Sequence, residues 1–185
     1  MHKKTSAKDA IAVSLLELCQ KKSVQKITVK MIMDNCGFSR KSFYNNFDSK
    51  YALVIYLFIC NSEAIIEEYA EKEPWGVVLG RIYQFMYDNR MLFGMRWIAD
   101  DLQDLVFTIV EYVQHYYYNV CLRLHGKDSI TDNYVFLNKY NSYGATNMVI
   151  ECIRGNLDIC PEELGQRLAD ALPSEIRRLM DRYNI

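Results

Sequence analysis

The sequence predicts an all-α protein in which an N-terminal three-helix unit containing a helix-turn-helix is joined to a larger helical C-terminal unit. Three observations carry this. Only three prolines and eight glycines interrupt the 185 residues, and long stretches pass without a turn signal. Apolar residues recur at three- and four-residue spacing, the period of one face of a helix. Half of the residues are hydrophobic, which supplies a sizeable core and excludes a disordered chain.

The first helix is expected from Ser6 to Lys22, where Ile11, Leu15, Leu18 and Cys19 form one stripe. The segment KSVQKIT breaks the pattern, and Thr28 then offers an N-cap for a short helix with Val29, Ile32, Met33 and Cys36 inward. Gly37 can end it, because a residue just past a helix often takes the left-handed conformation that glycine tolerates. Ser39 can cap a third helix, with Phe43 and Phe47 four apart facing the core and Arg40, Lys41, Ser42, Tyr44 and Asn45 largely outward. Asp48 or Ser49 offers the cap of a long helix from about Lys50 to Ala70. The boundary is therefore drawn at residue 48, dividing the chain into 1–48 and 49–185. Beyond Glu73-Pro74, helices are expected at roughly Trp75 to Asn89, Phe93 to His125 with a break near Asp100, Thr131 to Arg154 and Pro161 to Ala171. A last one begins near Pro173.

Charge is unevenly spread. Residues 1–50 hold ten basic and four acidic side chains, a net +6, and the remainder holds twelve and nineteen, a net −7. The basic end suits a polyanion, although such a segment also serves simply as solvated surface.

The six cysteines form no CxxC pair and stand in apolar contexts with no signal peptide ahead of them. They read as reduced, buried residues of a cytoplasmic protein, a redox role for Cys152 or Cys160 being the alternative. The most apolar stretch, YALVIYLFIC, is ten residues long, short of the roughly 20 that span a bilayer, so no membrane association is expected. Nothing suggests an enzyme. There is no glycine-rich phosphate loop, HExxH or GxSxG, and His2, His115 and His125 are too scattered for a metal site. No catalytic residue, metal or cofactor is expected.

The segment Thr28 to Leu53, TVKMIMDNCGFSRKSFYNNFDSKYAL, resembles the DNA-binding domain of the TetR family of transcription regulators. Thr28, Gly37, Ser39, Ser42, Tyr44, Phe47, Lys50 and Leu53 fall in that family's register. Met33 and Cys36 stand where alanine is usual, Phe38 replaces a smaller aliphatic residue, and Asn46 replaces a frequent histidine. The first three ask for a slightly repacked core, and the last alters a DNA contact.

The resemblance implies a regulator, by default a repressor with activation as the alternative, that binds a pseudo-palindromic double-stranded operator as a homodimer. Thr28, Tyr44 and Lys50 would hold phosphates. Arg40 and Lys41 can reach guanine acceptors, Asn45 an adenine, and Ser42 a base edge or phosphate, with Ser39 and Asn46 beside them. Without the register, Arg40, Lys41 and Asn45 read equally as a solvated helix face.

The segments FLNKYNSYGATNMVIECIRGN and CPEELGQRL resemble the C-terminal domain of a Firmicutes-type branch of the family that includes dihydroxyacetone-kinase-operon regulators. There the last two long helices of each subunit pair as a four-helix interface. Tyr140, Tyr143, Gly144, Asn147, Met148, Glu151 and Cys152 have the spacing for such a seam, or for internal core. An aromatic-rich stretch lies between head and seam. Three consecutive tyrosines, Tyr116 to Tyr118, cannot all face one core, because successive helical residues turn by about 100°. The resemblance implies a small-molecule effector pocket here, for which Tyr83, Trp97, Tyr112, His115 and Tyr116 are the candidates. Plain packing is the alternative, as is a protein partner in place of the small molecule.

Overall fold

The computed structural model describes residues 6–94 and 99–179, and of 99–104 and 179 the backbone alone. Among the described residues all regular structure is helical. The head comprises α1 (Ala7–Cys19), α2 (Val29–Cys36) and α3 (Arg40–Tyr44). After α4 (Lys50–Tyr69) the body continues with α5 (Trp75–Asp88), α6 (Arg90–Phe93), α7 (Ala99–His125), α8 (Asp132–Ile153), α9 (Pro161–Asp170) and α10 (Ser174–Leu179).

The local rules that start and stop a helix operate where the sequence predicts them. Thr28 Oγ1 accepts from the Met31 amide at 3.2 Å, and Gly37 ends α2 at φ 75°. Ser39 Oγ accepts from the Ser42 amide at 3.2 Å. Of the two caps open for the long helix, Ser49 takes the role, accepting from the Ala52 amide at 3.0 Å. The third helix is shorter than its apolar spacing suggests, and Asn45 is its C-cap. Phe47 still reaches the core, but from the turn beyond the helix.

In the head, Ile11, Leu15, Ile32, Met33 and Phe43 are buried. Ser14 on α1 donates to the Ile32 carbonyl at 2.7 Å, and Asn35 on α2 donates to Ser14 Oγ at 3.1 Å. These bonds set α1 against α2. Phe38 is not part of the core that it was expected to repack; it lies exposed beyond α2, while Met33 is buried and Cys36 half-buried.

One buried cluster runs from the head through Leu53, Val54, Leu57 and Phe58 of α4 to Met86 of α5, Ile109 of α7 and Val149 of α8. Buried packing is thus continuous from head to body, so movement of α4 is felt by both.

Two close pairings shape the body. Helices α7 and α8 run antiparallel, with Tyr134 donating to the Tyr117 carbonyl at 2.8 Å and Asn138 to the Gln114 carbonyl at 2.9 Å. Helix α9 lies almost backbone to backbone on α5. A Cβ at Gly165 would overlap the Gly76 carbonyl oxygen and the Gly80 amide nitrogen, so only glycine permits this approach.

Candidate functional site

The outward face of the head carries the residues expected at DNA. Arg40, Lys41 and Asn45 are exposed, and Ser42 is half-buried. Tyr44 is 60% exposed, its ring resting edge-on against Phe43 at 5.4 Å. Thr28 and Ser39 spend an oxygen lone pair on capping, and each keeps its O–H to donate.

Two residues expected at DNA make hydrogen bonds inside the fold. Lys50 Nζ donates to the carbonyls of Val24 at 2.6 Å and Ile27 at 2.8 Å, around the 3-10 turn Val24–Lys26. The start of α4 lies against that turn, so the ammonium is a second donor to the Val24 carbonyl, which also accepts the Ile27 amide at 3.2 Å, and serves the Ile27 carbonyl at the end of the turn. Asn46 Nδ2 donates to the Ser42 carbonyl at 2.7 Å and is half-buried; it closes the end of α3.

Rings then lead from the outward face of the head to α4. Phe43 meets Phe47 at 5.8 Å, and Phe47 meets Tyr56 of α4 at 5.4 Å. The Lys8 ammonium lies over both Phe47 and Tyr56, at 5.6 and 5.7 Å from the ring centroids.

A cavity of about 60 Å³ opens in the body where α4, α5, α7, α8 and α9 meet. Tyr83, Tyr112 and Tyr116 line it as expected. His115 does not: it is exposed, its Nδ1 lies 2.8 Å from the Glu111 carbonyl, and it borders an outer groove with Glu63, Glu67 and Arg123. Helical period turns His115 by about 100° from Tyr116 and about 60° from Tyr112, towards the outer groove. Trp97 lies outside the described residues.

Trp75 and Tyr116 form a stacked wall, their planes 2° apart and centroids 5.5 Å apart, and Phe58 meets Tyr112 edge-on at 5.4 Å. Trp75 Nε1 donates to the Tyr117 hydroxyl at 3.0 Å. Burial pushes the Tyr117 phenol up to about 12, opposed by that bond, and pushes Tyr112 up to about 12 with the Glu63 carboxylate adding to it. Burial likewise holds Tyr83 far above the usual tyrosine range.

Among the lining residues that escaped the sequence reading are Ser62 on α4 and Thr146 on α8. They are 1% and 4% exposed, and neither hydroxyl has a hydrogen-bond partner among the described residues. Nothing local marks a serine or threonine as buried and unpartnered.

The third feature is an apolar outer face on the α7–α8 pair. Tyr140, Tyr143, Gly144, Asn147 and Met148 are exposed on it, Tyr140 at 71%, and space is open over Gly144. Glu151 is half-buried. Cys152 belongs to the core instead, because it shares its helix side with buried Val149. Phe136, at 66% exposure, extends the stripe one turn earlier, and Phe107 and Leu122 continue it on α7. The four-residue step from Tyr140 back to Phe136 was a usable signal.

No family profile matches the chain, and no curated protein matches it. Among solved structures it is similar to the dihydroxyacetone kinase operon activator DhaS, with TM-score 0.65 and 17% identity over 93% of this chain and 97% of that one. A TetR-family transcriptional regulator from Streptomyces coelicolor is matched with TM-score 0.49 and 16% identity, over 96% of this chain and 87% of that one. The likeness to DhaS extends over almost the full length of both chains, and what it establishes is the fold: an all-α protein with the architecture of DhaS.

Proposed function

We propose that the chain is a homodimeric, sequence-specific DNA-binding transcription regulator whose operator affinity is set by a ligand in the body cavity. Residues 1–48 are the DNA-binding unit, and 49–185 serve effector binding and dimerisation. The observation that carries this reading is the recognition face: Arg40 and Lys41 exposed on a short helix, with its C-cap Asn45 beside a protruding Tyr44, within residues 1–50 of net charge +6.

Arg40, Lys41 and Asn45 read base edges, with Ser39 and Ser42 at their margin. Tyr44 and Thr28 hold phosphates. Two such faces must meet successive major grooves about 34 Å apart, which asks for a dimer and a pseudo-palindromic site. The exposed stripe of Phe136, Tyr140 and Tyr143 with Phe107 and Leu122 supports pairing through α7 and α8. Left in water, an apolar face of this extent promotes association.

An effector acts only through a difference in affinity between two arrangements of the heads. Helix α4 is the lever, since it lines the cavity at Phe58 and Ser62 and meets the head's aromatic ladder at Tyr56. Repression is the default direction. DhaS is by name an activator, and transcription from the upstream promoter with and without the protein distinguishes the two.

The test is salt-dependent anisotropy on the DNA upstream of its own gene. Wild type binds tightly and loses affinity with salt, and Arg40→Ala and Tyr44→Ala each weaken binding by about 1–3 kcal/mol. Weak binding that ignores DNA sequence and both substitutions rejects the reading. For the dimer, sedimentation of the Phe136→Asp, Tyr140→Asp double variant gives a monomer; an unchanged mass rejects this interface.

A further inference from the structure

The cavity wall is selective in a way that names a class of ligand. Among the described residues, none of the side chains lining it is an aspartate, glutamate, lysine, arginine or histidine. A carboxylate or ammonium entering it would lose hydration with no counter-charge in return, which is strongly unfavourable. Polar capacity is nonetheless present. Ser62 Oγ and Thr146 Oγ1 are buried and unpartnered among the described residues, and an unsatisfied buried hydroxyl is itself unfavourable until something bonds to it. Each can donate or accept, so the complement is a neutral hydroxyl, carbonyl or amide.

Shape follows from the walls. The parallel Trp75 and Tyr116 rings and the edge-on Phe58 and Tyr112 pair present flat aromatic faces, which favour a planar ring partner. The two hydroxyls stand on different helices. Ser62 belongs to α4, which leads to the head, and Thr146 to α8, which bears the exposed seam.

We infer that the cavity takes an uncharged, flat, ring-containing small molecule bearing a hydroxyl or carbonyl group, with Ser62 and Thr146 as its specificity-determining residues. This rests on the reading of the cavity as the effector site. The ligand's polar group fills the hydrogen-bonding need of α4 and α8 together, so occupancy favours one relative placement of the two helices.

A matched probe series tests it: naphthalene, 1-naphthol, 1-naphthoate and 1-naphthylmethylammonium, titrated calorimetrically into the full-length protein at pH 7. Naphthol is expected to bind about fivefold more tightly than naphthalene, the gain of a neutral hydrogen bond. Both charged probes should bind roughly tenfold or more weakly than naphthol. Ser62→Ala and Thr146→Val, which preserve helix and volume, should bring naphthol down to the level of naphthalene and leave naphthalene unchanged.

Equal or better binding of either charged probe overturns the inference. So does naphthol binding that ignores both substitutions, or the absence of binding by any probe. Operator anisotropy with the same probes separates the two claims. Naphthol that binds through Ser62 and Thr146 without altering DNA affinity upholds the ligand class and rejects the cavity as an effector site.

Discussion

The Tyr56 hydroxyl on α4 donates a 2.8 Å hydrogen bond to Asp9 Oδ1 on α1, while Asp9 Oδ2 accepts from the Ser6 amide at 3.1 Å and closes the capping box of α1. One carboxylate thus holds the start of the first helix and ties it to the helix that enters the body. Tyr56→Phe keeps the ring against Phe47 and removes only this bond. Urea unfolding should show a loss of about 1 kcal/mol. Asp9→Ala should lose more, about 1–2 kcal/mol, because it also removes the acceptor of the Ser6 amide in the capping box.

Lys50 offers a sharper distinction between a structural and a DNA-facing cation. Its ammonium serves two carbonyls 23 and 26 positions earlier in the chain. Lys50→Met keeps the aliphatic stem and leaves those carbonyls short of a donor, a loss of about 1–3 kcal/mol in stability. The salt slope of DNA binding should stay at the wild-type value. A stable variant whose slope falls by about one would return Lys50 to the phosphate backbone.

Gly165→Ala should be among the most damaging single-methyl changes. The new Cβ meets the backbone of Gly76 and Gly80, which cannot yield without separating α9 from α5, at a cost of about 1–3 kcal/mol. Gly76→Ala should be milder, since the nearest atom it meets, at 2.7 Å, is the end of the flexible Gln166 side chain. Thermal unfolding of the two variants side by side reads the difference.

Alkaline pH should unfold the protein through its buried phenols. Burial raises Tyr112 and Tyr117 from the ordinary value of 10.0 to about 12, and Tyr83 further. A raised folded-state value means that the unfolded chain gives up its protons first. This contribution to stability is complete below about pH 10 and falls as the pH climbs towards 12. Urea midpoints should therefore hold steady from pH 7 to 9 and drop by pH 11, with tyrosinate absorbance rising alongside unfolding. Constant midpoints through pH 11 would contradict the burial of these rings.

The cysteines separate by depth in the same manner. Cys160 is exposed, whereas Cys19, Cys121 and Cys152 are buried, and burial pushes the Cys19 thiol up to about 11. Native alkylation at pH 8 should modify Cys160 first and reach the other three only on unfolding.

What could be read along the chain was what depends on near neighbours. Thr28, Gly37 and Ser39 act on backbone groups within a few residues of themselves, so their roles follow from local geometry alone. The same holds for the stripes that place Ile11 and Leu15, or Ile32 and Met33, inside. Part of the exposed face of α3 also follows, because a helix whose inward position is Phe43 must turn Lys41 and Tyr44 away from it.

Other roles were decided by segments brought together from afar. Lys50 turned inward because a 3-10 turn more than twenty residues earlier presents two carbonyls at its reach. His115 missed the cavity and Cys152 left the seam because helical spacing ranks residues around an axis without saying where the neighbouring helix lies. The aromatic composition was compatible equally with a filled core and with a pocket. Ser62 and Thr146, from helices far apart in sequence, line one cavity without partners. Sequence by itself determined most of the helices, several of their caps and the basic character of the head, because these are short-range consequences of residue type. Which polar groups end up satisfied, and where space remains, was settled only by tertiary packing, because hydrogen-bond satisfaction and empty volume belong to several segments at once.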